Sequence, residues 1–146
     1  MFTVTLAFFL LVVAASVGLA MALMHANGTK SGMGLGVLHG VFVVAGLGTL
    51  IAGLASSAAP LGWWILVSFL VAASGGAYLF SRQLKDVPWP GWVILAHGGL
   101  ALATLVVLGL WLFAWDGVGP DRPDGLQTPQ GGLQSQVVVE ASRTAA

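Results

Sequence analysis

Four apolar stretches, at residues 2–25, 32–55, 61–81 and 91–115, hold no Asp, Glu, Lys or Arg. Each matches the roughly 20 helical residues that cross a hydrocarbon core of about 30 Å. Lipid offers the backbone no hydrogen-bonding partner, so each stretch is read as a helix whose N–H and C=O groups are satisfied internally. Composition agrees: 58% of the 146 residues are hydrophobic and 7% charged, against roughly 25% charged in a soluble domain. The expected fold class is an all-α membrane protein, a four-transmembrane-helix up-down bundle over residues 1–115, with a flexible polar C-terminal tail at 116–146. That tail is rich in Gly, Pro, Gln and Ser and too polar to build a core of its own.

The first stretch has a signal-peptide look, with "AMA" at 20–22 resembling a cleavage site. It lacks a basic lead and exceeds an h-region of about 7–15 residues, so a retained helix is expected. Lys30 lies in the first loop, and Arg82 and Lys85 in the third, while "SSAAP" at 56–60 carries no charge. The positive-inside rule then puts loops one and three in the cytoplasm and both termini on the periplasmic side of an inner (plasma) membrane. Tryptophans 63, 64, 89, 92, 111 and 115 fall near the span ends, as an aromatic belt requires.

Zero cysteine excludes disulfides, thiolate metal sites, iron–sulfur clusters and covalent haem attachment through C-x-x-C-H. A net charge of zero without a basic patch argues against nucleic acid as a partner. No carboxylate pair or nucleophile with its base stands out, and "GMGLG" at 32–36 lacks the strand that a dinucleotide fingerprint needs. No catalytic residue is therefore assigned.

Two histidines break the apolar pattern. A shift of 58 carries "VAASVG" at 13–18 onto "VAASGG" at 71–76, and the same shift carries His39-Gly40 onto His97-Gly98. The chain thus reads as two tandem helical hairpins related by a pseudo-twofold axis along the membrane normal. Counted at 1.5 Å per residue, both histidines sit roughly 9–11 Å into their helices, with Gly18 and Gly76 at about the same level. In an up-down bundle the second and fourth helices are diagonal neighbours, so one layer would hold two facing imidazoles and two glycines. Such a layer describes a bis-histidine haem site, with the glycine backbones approaching the porphyrin because no Cβ intervenes. Propionate donors are sought at the nearby boundary, first Lys30 and Arg82, then Thr29, Ser31 and Lys85.

The pattern resembles four-helix transmembrane b-type cytochromes, such as the cytochrome b core of quinol-oxidising complexes and the ascorbate-reducible membrane cytochromes. The resemblance implies one non-covalent haem b held by His39 and His97, with Gly18 and Gly76 making room. It also implies electron transfer with a quinone or another redox subunit. Those families carry a second histidine pair two heptads on; here those positions are Gly53 and Trp111, so a second haem lacks ligands. Gly53 and Trp111 would then form a small–large pair filling the far half.

Other readings of the same residues stay open. The histidines could bond neighbouring helices within an accessory or assembly subunit of a larger respiratory or photosynthetic complex, or a homo-oligomer, or relay protons. They could also bind another metal together with His25, or ligate a chlorophyll-type magnesium.

Overall fold

A computed structural model describes residues 2–55 and 60–113. The expected tail at 116–146, Trp115 and most of the second loop lie outside the described residues. Four helices account for the rest: α1 (Phe2–Ala26), α2 (Met33–Ala55), α3 (Pro60–Leu84) and α4 (Gly91–Phe113). All four are long and apolar enough to cross a membrane, so the fold is an all-helical membrane bundle. α1 packs against α2 and α4, and α3 against α4 and α2; the backbones of the diagonal pairs do not meet.

The 58-residue repeat extends well beyond its two short motifs. Shifting α1 by 58 gives the bounds of α3, and shifting α2 gives those of α4. The helix ends repeat as well. After α1, Gly28 N–H donates to His25 O and Thr29 N–H to Met24 O, at 3.0 and 2.8 Å. After α3, Asp86 N–H donates to Gln83 O and Val87 N–H to Arg82 O, at 3.1 and 3.0 Å. Both are Schellman closures, which need one left-handed residue just past the helix. Gly28 takes that conformation at φ 70° and Asp86, its counterpart, at φ 51°. Glycine does so without steric cost, and aspartate is among the few other residues that tolerate it.

Helix α3 runs through Leu84, three residues past the boundary expected at Ser81. Arg82 is the reason. At the membrane edge its guanidinium reaches polar partners while its stem stays with the helix: Nε donates to Pro88 O at 2.8 Å and Nη1 to the Tyr78 hydroxyl at 3.1 Å.

Packing is uneven along the bundle axis. The buried cluster is drawn from the start of α1 and α3 and the end of α2 and α4, with Leu50, Leu54 and Leu108 fully enclosed. In this half the small–large pair expected between Gly53 and Trp111 does not form, because α2 and α4 are diagonal; each residue packs within its own hairpin instead. A Cβ on Gly53 would stand 2.7 Å from Val4 of α1, while the Trp111 ring comes within 3.4 Å of a Cβ built on Gly62 of α3. Trp63, Trp64 and Trp92 are exposed, as interface anchors should be. Trp111 instead packs against the core, and Trp89 stacks on His25 with ring centroids 5.6 Å apart.

Candidate functional site

The other half of the bundle, toward loops one and three, contains the histidines. His39 and His97 come from diagonal helices, yet their rings meet in the interior with centroids 6.1 Å apart and planes at 81°. Each ring is fixed by its own hairpin. His39 Nδ1 lies 2.9 Å from Ala14 O and His97 Nδ1 lies 2.7 Å from Ala72 O, each bond spanning 25 residues. A carbonyl oxygen only accepts, so Nδ1 carries the proton and the neutral ring keeps its lone pair on Nε2. This is the outer-shell bond that metal-ligating histidines make almost without exception.

Gly18 and Gly76 stand beside these rings. A Cβ on Gly18 would come 3.0 Å from Cε1 of His39, and one on Gly76 would come 2.8 Å from Cε1 of His97. The expected glycine level is therefore present, and the space beside each glycine is taken by the imidazole of the same hairpin. In this geometry the missing Cβ atoms let the histidines turn inward and reach the carbonyls below them.

Two cavities adjoin the pair. A chamber of about 50 Å³ lies toward the packed half, and its twelve lining residues form six pairs, each 58 apart: Leu11 with Phe69, Ala14 with Ala72, His39 with His97, and so on. A larger apolar cavity of about 540 Å³ lies toward the loops and takes in both histidines, Gly18, Gly76, Gly98 and Gly99. That size falls within the 300–1,000 Å³ typical of small-molecule sites. Beyond it a vestibule of about 300 Å³ is lined by His25, Thr29, Lys30 and Ser31 among others.

Of the two basic residues expected near a cofactor, Lys30 lines this vestibule, while Arg82 lines neither it nor the large cavity and is engaged with Pro88 and Tyr78. Lys30 itself bonds Asp86 at 2.8 Å across the two loops, fully in solvent. Its ammonium holds the Asp86 carboxyl below the usual carboxylate range, chiefly through that hydrogen bond.

Two residues that sequence reasoning left out sit where the cavities meet: Gln83 and Trp89 line both. Gln83 Nε2 donates to Ser31 O at 3.2 Å, and its buried Oε1 has no hydrogen-bond partner. The signal for both was in the repeat. Gln83 is the counterpart of His25, and Trp89 that of Ser31, so the contacts His25–Trp89 and Gln83–Ser31 interchange under the 58-residue shift.

The donor set limits what the pair can hold. Among the described residues no three His, Asp or Glu side chains cluster around a possible metal, so His25 does not complete a three-histidine site. Two imidazoles alone suit a metal whose remaining positions come from its own macrocycle, as in haem. The residues thus fit a bis-histidine haem in ligand type, tautomer and adjoining space. Comparisons of the chain with protein families, with curated proteins and with solved structures find no match.

Proposed function

We propose that the protein is a membrane electron carrier holding one non-covalent b-type haem between His39 and His97. The observation that carries the reading is the pair of imidazoles 6.1 Å apart, each pinned through Nδ1 to a carbonyl of its own hairpin, beside a glycine-bordered apolar cavity. Bound haem would supply reversible one-electron chemistry. The rest falls to the chain. The carbonyls of Ala14 and Ala72 orient the rings, and Gly18 and Gly76 admit them. The apolar wall keeps water from the ligand pair, and Lys30, Thr29 and Ser31 offer donors to the acidic edge of the cofactor. Loops one and three face the cytoplasm in this reading, and a quinone or a further redox subunit is the partner.

A second reading has its own support. Each histidine closes a hydrogen bond between neighbouring helices, worth about 1–2 kcal/mol in model peptides, and an accessory subunit of a larger membrane complex could use the pair for that alone. The visible spectrum separates the two. Protein expressed with haem supply and purified should show a low-spin bis-imidazole spectrum that changes on dithionite reduction, and His39→Ala and His97→Ala should each abolish it. A colourless, folded wild-type protein would leave the structural reading standing.

A further inference from the structure

The haem cavity has an opening that the repeat does not share. Its lining reaches the outer surface of the bundle between α1 and α4, where Leu19, Leu95 and Leu102 are 61%, 77% and 58% exposed. The counterparts of these three under the 58-residue shift, Ala77, Val37 and Val44, line no part of it, although α2 and α3 are packed neighbours in the same way. A difference in side chains accompanies the opening: Gly99 stands on α4 where Val41 stands on α2. A Cβ on Gly98 or Gly99 would meet nothing within 4 Å.

The loop end, in contrast, is stoppered. Gln83, tied to Ser31, and Trp89, stacked on His25, are the residues common to the cavity and the aqueous vestibule. A broad apolar ring coming from the water side would have to displace both. Coming from the lipid, it would cross an α1–α4 face of apolar residues and Ser16, whose hydroxyl is bonded back to Val12 O at 2.9 Å.

Resting on the haem reading above, we infer that the gap between α1 and α4 is a lateral port through which the porphyrin enters from the bilayer. In the corresponding gap between α2 and α3, Gly36 is buried with Phe80 and Gln83 against it. The ring then passes from lipid to the histidines without crossing water, and its acidic edge ends near the vestibule.

Gly98 and Gly40 give a matched test. Both follow their histidine, both face open space, and only Gly98 lines the cavity. Full-length apoprotein in lipid nanodiscs is mixed with haemin, and growth of the low-spin Soret band is followed in time. Gly98→Phe should slow loading about tenfold or more, and Gly40→Phe should load at the wild-type rate, since obstruction acts on the association step. Equal slowing in both variants, or wild-type loading in Gly98→Phe, overturns the port. Where Gly98→Phe fails to load at all, Gly98→Ala and Gly98→Leu with unchanged helical circular dichroism decide. A rate that falls stepwise with side-chain volume supports the port, and a flat rate rejects it. Wild-type apoprotein that gains no Soret band removes the haem reading itself, which is a separate outcome from a band that grows equally fast in every variant.

Discussion

The two hairpins share a length, a turn and a histidine, and differ in how tightly they close. In the first, α1 and α2 come together over Gly46 and Gly53, whose empty sides take Leu11 and Val4. In the second, the equivalent positions hold Thr104 and Trp111, and α3 and α4 pack less intimately. The hairpins keep in common, at one level, the imidazoles, the carbonyls of Ala14 and Ala72, and Gly18 with Gly76, and at their loop end the Schellman closures. Helix packing thus differs between the two hairpins away from the level of the histidines.

Equivalence at the axis has a strong consequence. If His39 and His97 are the two axial ligands, either alanine variant should remove the low-spin spectrum completely, and to the same degree. A variant that kept the spectrum would break the symmetry of the pair and show that one ring serves packing alone. The measurement is the reduced-minus-oxidised difference spectrum, normalised to protein.

Away from the axis the copies should respond unequally. Leu50 and Leu108 are counterparts and both fully buried, so truncation to alanine removes the same atoms from each. Such substitutions cost about 2–5 kcal/mol, with the spread set by how far the surroundings collapse into the void. The looser second hairpin relaxes more readily, so Leu50→Ala should destabilise more than Leu108→Ala in reversible unfolding from detergent micelles. The reverse order would show that Trp111 makes the second hairpin the stiffer one.

The spans, their number and the pairing of histidines were readable from the chain. Lipid forces backbone bonding inside each segment, and a 20-residue apolar run without charge has one good solution there. Other features needed packing to become visible. Hydropathy shows that Trp89 and Trp111 lie near an interface, yet says nothing of which way the rings turn; one covers His25 and the other fills the space beside Gly62. Gly18 and Gly76 were legible as small residues at the right depth, but the atoms occupying their empty side depend on the rotamers of His39 and His97. The difference between a filled and a hollow half is likewise absent from composition, since Ala and Leu populate both. Gln83 was passed over because one polar residue at a span end has a sufficient solvation reason to be there.

A smaller effect tests the tightness of the first hairpin directly. A methyl group on Gly53 would meet Val4 Cγ2 at 2.7 Å and the Val4 backbone nitrogen at 3.4 Å. Val4 is buried and stiff at χ1, so its Cγ2 cannot turn away freely, and Gly53→Ala should cost about 1–3 kcal/mol, the usual range for overpacking. Trp111 occupies the same position in the second hairpin without difficulty because Gly62 faces it. Pairing Gly53→Ala with Val4→Gly should therefore recover part of the loss, measured as a shift in thermal midpoint. A double variant no more stable than Gly53→Ala would place the strain elsewhere in α1.

The smallest effect lies where the hairpins meet in water. Lys30 and Asp86 join loops one and three at 2.8 Å, and both are fully exposed, so solvent and salt screen the pair. Because Lys30 lowers the folded-state value of the Asp86 carboxyl, the bridge adds its stability above the unfolded aspartate range and loses it as pH falls through the lowered value. Asp86→Asn separates charge from conformation, since asparagine tolerates the left-handed φ of 51° that the turn requires. At neutral pH and low salt this variant should melt slightly below wild type, and Lys30→Gln should match it, with no further loss when the two are combined. Raising the salt, or acidifying below the folded aspartate range, should erase the difference. A deficit in Asp86→Asn that persisted in high salt would assign the residue's contribution to its turn, leaving Gly28 and Asp86 equivalent in backbone role and the ion pair without measurable effect.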